Sequence, residues 1–422
     1  MQIKNYQEAK QFIESRQSYG IKPGLERMWF MLKAIDYQSK CKIIHVTGTN
    51  GKGSTTAYLE AGLLTSNNQV GTFTSPSLSG LTGHYTHNNK EMLETEFVSY
   101  LNTLLPIIKT LDQQTNYPSE FEIITMIAIL YFEDKADIAI VETGMGGLED
   151  TTNVLCPIVS VITSISIDHQ AFLGNTLKEI TRHKAGIIKQ DVPIVLGRVS
   201  LESLQIVEET AIKKSAKLYQ LGSEFNIEKV ENSYQYTQEK NQINKTFKLK
   251  NKGIYQSENA SLALQVFDIL NNIGFKLDFN KCIHAIEQLL ITNRYEIINE
   301  KPQIIIDGAH NIASFQAFLK TVNQTKESEK HLIISAFRDK PLEEMIDLAK
   351  ETFEAITVTT FAHERAFPKE ALMNLDLDVT CEPNWEKIVK DILENKETNV
   401  KYYFVGSVYF TNVIKQAINK KQ

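Results

Sequence analysis

The sequence predicts an α/β protein of two domains: a parallel-sheet domain with a phosphate-binding loop, then a smaller α/β domain. Three observations predict it. Short runs that are apolar on both faces alternate with longer amphipathic stretches, the pattern of parallel strands covered by helices on both sides. A glycine-rich segment, Gly48-Thr49-Asn50-Gly51-Lys52-Gly53-Ser54, separates one such run from a helical stretch. A polar interval then breaks the rhythm before it restarts near Thr292–Tyr295.

Taken in order, Lys42–Val46 (KIIHV) reads as a buried strand and Ser54–Leu64 as the helix after it. Gln69–Thr74 is a second strand. Phe121–Phe132 (FEIITMIAILYF) is apolar nearly all round and predicts a buried helix. Asp137–Val141 and Ile158–Ile167 are strands too apolar to have a solvated face, Thr176–Ile188 is a helix and Pro193–Leu196 another strand. Glu228–Lys250 is polar with partial alternation, which suits a small antiparallel excursion, and Glu258–Leu270 returns to helix. In the second half Gln303–Ile306, His331–Ser335, Ala355–Thr359 and Tyr402–Val405 are strands, each followed by a helical stretch. The last helix covers Tyr409–Ile418. The expected division is 1–294 and 295–422.

At 422 residues the chain is too long for one ordinary domain. With 42% hydrophobic and 23% charged residues it belongs with globular rather than disordered chains. A formal net charge of -6 argues against a nucleic-acid partner. Cys41, Cys156, Cys282 and Cys381 are scattered, with no metal or disulfide spacing, and read as reduced thiols of an intracellular protein. The N-terminal segment has no apolar signal core, and no run reaches the roughly 18 apolar residues a membrane span needs. A soluble, cytoplasmic protein with no membrane partner is the expectation.

The glycine-rich segment is the strongest chemical signal. Glycines let the backbone wrap closely around phosphates, and the following helix N-terminus supplies positive potential. Lys52 is placed to reach outer phosphates and the Ser54 hydroxyl to face magnesium. The spacing departs from the common phosphate loop because Gly53 separates the lysine from the serine. Glu142 ends an apolar strand, at the edge where parallel sheets bind ligands, and a carboxylate there suits a hard cation. His169 follows another apolar strand and is equally readable as a structural histidine.

This shortened loop resembles that of the Mur ligase superfamily, closest to the folylpolyglutamate and dihydrofolate synthases. Further motifs follow in the family's order: Thr74-Ser75-Pro76, Glu142-Thr143-Gly144-Met145-Gly146-Gly147 with Asp150-Thr151-Thr152-Asn153, Asp168-His169, Lys184-Ala185-Gly186-Ile187, Gln256 with Asn259-Ala260, Asp307-Gly308-Ala309-His310-Asn311 and Gly406-Ser407-Val408-Tyr409. The resemblance implies a P-loop parallel-sheet ATPase domain and a C-terminal Rossmann-like domain. It implies an ATP-dependent ligase that adds L-glutamate to folate, and in some members to dihydropteroate, through an acyl phosphate. ATP would contact Asn50, Gly51, Lys52, Gly53, Ser54, Asn259, Arg294 and Asp307. Two magnesium ions would be held by Ser54 and Glu142 and by Ser75 and His169. Lys52, Lys184, His169 and Arg294 would be the catalytic groups, with Lys184 carbamylated by carbon dioxide. Phe121, Glu122, Asp150 and Ser407 would bind substrate, with His310 and His363–Ala366 as further glutamate contacts. The implied partners are small molecules only, and the implied state is a monomer.

The match thins at the pterin side. Ser77–Tyr85 lacks the family's usual residues, Leu148-Glu149 stands where Arg or Lys usually follows the two glycines, and Thr292-Asn293 replaces Pro-Gly before Arg294. Ser119-Glu120-Phe121-Glu122 matches its family site only in part. Two other readings therefore stay open: an amino-acid ligase of the same superfamily with a different acceptor, and a nucleotide-binding regulatory relative without turnover. The second is opposed by the intact Lys52, Ser54, Glu142, His169 and Lys184.

Overall fold

The computed structural model describes residues 2–20, 22–324, 329–374, 378–395 and 399–420. The chain forms two compact units, one of residues 1–248 and 257–289, the other of 249–256 and 290–422. The sequence reading put the strip 249–256 with the first unit. Asn251 explains its place in the second: its side-chain amide donates to the carbonyls of Ile291 and Arg294, both at 2.8 Å, and its carbonyl accepts from the Ile291 amide.

The first unit is built on an eight-stranded sheet in the order β4-β3-β2-β5-β1-β6-β7-β8. Its strands are β1 (Lys42–Thr47), β2 (Val70–Phe73), β3 (Tyr85–His87), β4 (Lys90–Glu91), β5 (Ile138–Glu142), β6 (Val159–Ile162), β7 (Ile194–Leu196) and β8 (Leu218–Gln220). All neighbours are parallel except β3 and β4, which turn back at the edge. Every residue of β2, β5, β6 and β7 is buried, as strands covered on both faces must be. The strand expected at Ile158–Ile167 is shorter. β6 ends at Ile162, because Thr163, Ser164 and Ser166 leave the ladder to bond the phosphate loop with their hydroxyls and backbone.

The helix expected at Phe121–Phe132 runs Glu120–Lys135 and is buried nearly all round. It lies against β2 and the helices Glu26–Ala34 and Glu94–Gln113. Ser119 and Glu122 cap it reciprocally. The polar interval forms a three-stranded antiparallel sheet of β9 (Asn226–Val230), β10 (Ser233–Gln238) and β11 (Ile243–Phe247).

The second unit carries a six-stranded sheet in the order β12-β13-β17-β14-β15-β16. These are β12 (Glu296–Glu300), β13 (Gln303–Asp307), β14 (Glu329–Ser335), β15 (Ala355–Val358), β16 (Thr380–Cys381) and β17 (Val400–Gly406). Only β12 is antiparallel to its neighbour. Phe315, Phe318, Phe353 and Tyr403 fill the core on one face of this sheet, and Phe404, Phe410 and Ile414 on the other. Among the described residues no helix is long and apolar enough to cross a membrane.

Candidate active site

β1 lies between β5 and β6, so the segments leaving these three strands converge at one sheet edge. This is where a parallel sheet binds its ligands. The phosphate loop leaves β1 at Gly48 and enters the helix Lys52–Leu63, with Gly51 as a left-handed N-cap at φ 88°. A Cβ at Gly48 would lie 1.9 Å from Thr163 Oγ1, and one at Gly51 2.3 Å from Asn259 Oδ1. Both glycines are therefore required by close approach as well as by conformation. The Thr163 and Ser164 hydroxyls donate to the Asn50 carbonyl at 2.6 and 2.9 Å, and the Thr49 amide donates to Ser164 O at 2.9 Å. Sequence reasoning missed Thr163 and Ser164; the hydroxyl-rich TSIS after the apolar VSVI was the available signal.

Lys52 Nζ donates to Gly48 O at 3.0 Å and stands 4.0 Å from Glu142 Oε1. Glu142 ends β5 and is buried, and its Oε2 lies 3.7 Å from where a Cβ at Gly53 would sit. Ser54, also buried, lies in the first turn of the helix that Lys52 begins. Among the described residues no three His, Cys, Asp or Glu side chains form a metal-holding group. A hydroxyl and a carboxylate beside a phosphate loop nevertheless fit magnesium, which keeps several waters and takes ligands from substrate phosphates.

The turn after Glu142 is pinned from several sides. The Thr47 hydroxyl bonds Gly146 O, and the Thr143 hydroxyl donates to Thr47 Oγ1 at 3.0 Å. Asp150 accepts from the Met145 amide at 2.8 Å and the Thr152 amide at 3.0 Å. Asn153 donates to the carbonyls of Leu148 and Gly186 at 2.9 and 3.2 Å. A Cβ at Gly147 would lie 2.7 Å from His183 O, and one at Gly186 2.4 Å from Leu148 Cα. The glycine turn is thus pressed onto the end of the helix Leu177–Ala185, which carries Lys184. Lys184 is 2% exposed. Its burial, reinforced by the Lys52 charge, brings it down to about 7, against the opposing pull of Asp168 and Asp150.

Ser75 follows β2, and His169 lies beyond β6 as a left-handed residue at φ 54° whose amide donates to Asp168 Oδ1 at 2.8 Å. Phe121 fills the space beside Gly144, where a Cβ would come within 2.4 Å of its ring. Glu122, expected to bind substrate, is 1% exposed and engaged elsewhere: it accepts from the Ser119 amide at 2.8 Å and from Arg27 Nε at 2.8 Å.

In the second unit, Asn293 (φ 58°) and Tyr295 (φ 44°) flank Arg294 in left-handed conformations. Asp307 ends β13 and accepts from Tyr295 N at 2.9 Å, Ala309 N at 2.8 Å and Tyr255 Oη at 2.5 Å. Burial pushes the Asp307 carboxyl up, and the Arg294 charge pulls it back. Ser407 caps the helix Val408–Asn419, and His310 bonds Gly308 O through Nδ1 at 2.8 Å. His363 packs at a tilt against Phe337 and Tyr409, with ring centroids 4.7 and 5.0 Å away.

The Mur ligase middle domain matches residues 46–267, and the Mur ligase glutamate ligase domain matches 293–407. The dihydrofolate synthase/folylpolyglutamate synthase of Bacillus subtilis is 33% identical over 98% of this chain and 99% of its own. The folylpolyglutamate synthase of Lacticaseibacillus casei is 27% identical over the same shares. In fold, the chain is similar to the solved structure of E. coli FolC in complex with DHPP and ADP, with a TM-score of 0.87 at 22% identity over 100% of this chain and 99% of that one. With one family domain spanning more than half its length and a relative this similar from end to end, the chain belongs to the Mur ligase superfamily, among the dihydrofolate and folylpolyglutamate synthases.

Proposed function

We propose that this protein couples ATP hydrolysis to the addition of L-glutamate to a folate carboxylate and, as a second activity, to dihydropteroate. The observation that carries the reading is the phosphate loop with Lys52 set 4.0 Å from Glu142, beside a buried lysine at 184. The second activity is supported by the Bacillus subtilis relative, which is named for both syntheses.

A carboxylate does not acylate an amine until one of its oxygens becomes a leaving group. Its oxygen attacks the γ-phosphorus of ATP, ADP departs, and an acyl phosphate forms. The amine of glutamate attacks the acyl carbon, phosphate leaves, and the amine gives up a proton. The protein's task is positioning and electrostatics. The loop amides and Lys52 orient the phosphates, and Asn259, packed on Gly51, is a nucleotide contact. Arg294 and Asp307 are carried over as ATP contacts, and Ser407 and His310 as glutamate contacts. Ser54 and Glu142, with Ser75 and His169 as a second pair, would hold magnesium, whose charge would offset repulsion between the acceptor carboxylate and the γ-phosphate.

Lys184 is proposed to carry a carbamate. A lysine brought down to about 7 by burial offers a neutral amine at ordinary pH. That neutral amine adds to carbon dioxide and releases one proton, leaving an anion where the protonated lysine would be a cation.

The test is phosphate release from ATP with magnesium and L-glutamate, with dihydropteroate, tetrahydrofolate or no acceptor. Release that depends on either pterin is expected. Release with tetrahydrofolate alone removes the second activity; no acceptor-dependent release overturns the reading.

A further inference from the structure

His45 occupies the middle of β1, pairing with Val141 of β5 and Ser160 of β6, and its side chain is fully buried. Its Nε2 lies 2.8 Å from Thr152 Oγ1. That hydroxyl also lies 2.5 Å from Asp150 Oδ1. The bond directions follow by elimination. Asp150 accepts from the amides of Met145 and Thr152, one on each oxygen, and as a carboxylate it can only accept, although burial pushes its carboxyl up. The single Thr152 hydroxyl proton therefore goes to Asp150 Oδ1. The hydroxyl must then accept from His45, so Nε2 bears the hydrogen and Nδ1 is bare. Nδ1 is buried with no hydrogen-bond partner among the described residues. Burial, with a smaller push from Lys189, holds the imidazole down to about 3, so the ring stays neutral.

An apolar side chain at this buried position would leave no nitrogen unpaired, and buried polar groups are normally satisfied. A histidine here points to its one bond. Thr47, two residues on and on the same face of β1, bonds Gly146 O. The turn after Glu142 is thus gripped from one strand at two adjacent residues: at Gly146 O directly by Thr47, and at Met145 N through His45, Thr152 and Asp150.

We propose that His45 and Thr152 are positioning residues, a buried one-directional relay that fixes the Asp150 carboxylate and with it the glycine turn between Glu142 and Lys184. Neither residue touches substrate. The proposal rests on the ligase reading for its kinetic consequence, and wild-type turnover tests that reading separately.

Thr152→Val keeps the shape and removes the hydroxyl; Thr152→Ser keeps the hydroxyl. Thr152→Val is expected to lower kcat by about 10²-fold, the usual cost of a displaced catalytic group, with KM for ATP nearly unchanged. Thr152→Ser should stay within about threefold of wild type by the same reasoning. His45→Phe should lower kcat too, yet add nothing in the Thr152→Val background, because it acts only through that hydroxyl. Nitrogen-15 NMR of the histidine rings in the whole protein gives a readout independent of turnover. His45 should be a neutral Nε2–H tautomer from pH 5 to 8, with its Nε2–H signal displaced in Thr152→Val. An Nδ1–H tautomer, losses that multiply in the double variant, or lowered melting temperature with unchanged kcat would each overturn the relay. If His45→Phe does not fold, the two Thr152 variants and the tautomer decide alone.

Discussion

Gly51 and Asn259 share one space: the Asn259 side-chain oxygen lies 2.3 Å from the place a Cβ at residue 51 would take. Gly51 also holds φ 88°, where an L side chain is strained. Gly51→Ala should therefore destabilise the protein by about 1–3 kcal/mol and abolish nucleotide binding. Urea denaturation and titration with a fluorescent ATP analogue check it. Wild-type affinity in the variant would mean that Asn259 moves aside freely and that the loop does not depend on this contact.

Lys52 bonds Gly48 O, and its side chain is 17% exposed, so removing the ammonium leaves the core untouched. Lys52→Met should fold normally, with unchanged far-ultraviolet circular dichroism, while turnover falls by roughly 10²–10³-fold or more. Near-normal activity would refute the assignment of the loop.

For Lys184 the folded value, about 7, lies below the ordinary lysine value of 10.5. The unmodified lysine thus gives stability that is present above the unfolded value and lost as pH falls through about 7. Stability of carbon dioxide-free protein should rise with pH across that interval, and Lys184→Ala should flatten the rise. Lys184→Ala should also be inactive, with partial recovery in acetate. Intact mass of active wild-type protein in bicarbonate should include the carbamate; an unmodified lysine there would exclude it.

The Arg27–Glu122 pair is buried on both sides, with side-chain exposures of 9% and 1%. Arg27→Met leaves the Glu122 charge without its cation and should cost about 3–5 kcal/mol. Arg27→Met with Glu122→Gln should recover much of it. Thermal melts of the wild type and these two variants measure this. Equal melting temperatures would mean that the pair contributes nothing to the fold.

Tyr255 supplies one of the three hydrogen bonds to Asp307. Tyr255→Phe should destabilise by about 1–2 kcal/mol. Because the Asp307 carboxyl is already pushed up by burial, losing a donor pushes it further. Stability tied to this group is greatest at low pH and lost as pH rises through its folded value, so the variant's deficit should grow from acid toward neutral pH. A deficit constant over that range would place the effect in packing.

Much of this was legible in the chain. Strands buried on both faces write themselves as unbroken apolar runs, which is why β1, β5 and β13 stand close to where the sequence put them. The glycines at 48, 51, 147 and 186 were visible as motifs, but not what they make room for, since Thr163, Asn259, His183 and Leu148 are distant in sequence. The departure at 292–293 has a backbone explanation. Position 293 is left-handed, a conformation glycine takes freely and asparagine tolerates better than most residues. Glu122 misled because a capping carboxylate and a binding carboxylate look alike without their partners. Thr163 and Ser164 were hidden inside a run that looked like continuous strand, because a hydroxyl on β-branched or small residues does not interrupt apolar periodicity.

The contact between Gly147 and the end of the lysine-bearing helix limits how this protein can drift. No larger residue fits at 147 or 186 unless the backbone around Lys184 moves with it. Those two sites are closed to gradual change, whereas Leu148 beside them is 49% exposed and free to vary. Natural variation near the buried lysine should therefore accumulate at 148 and 149, giving a tolerant rim around a fixed centre.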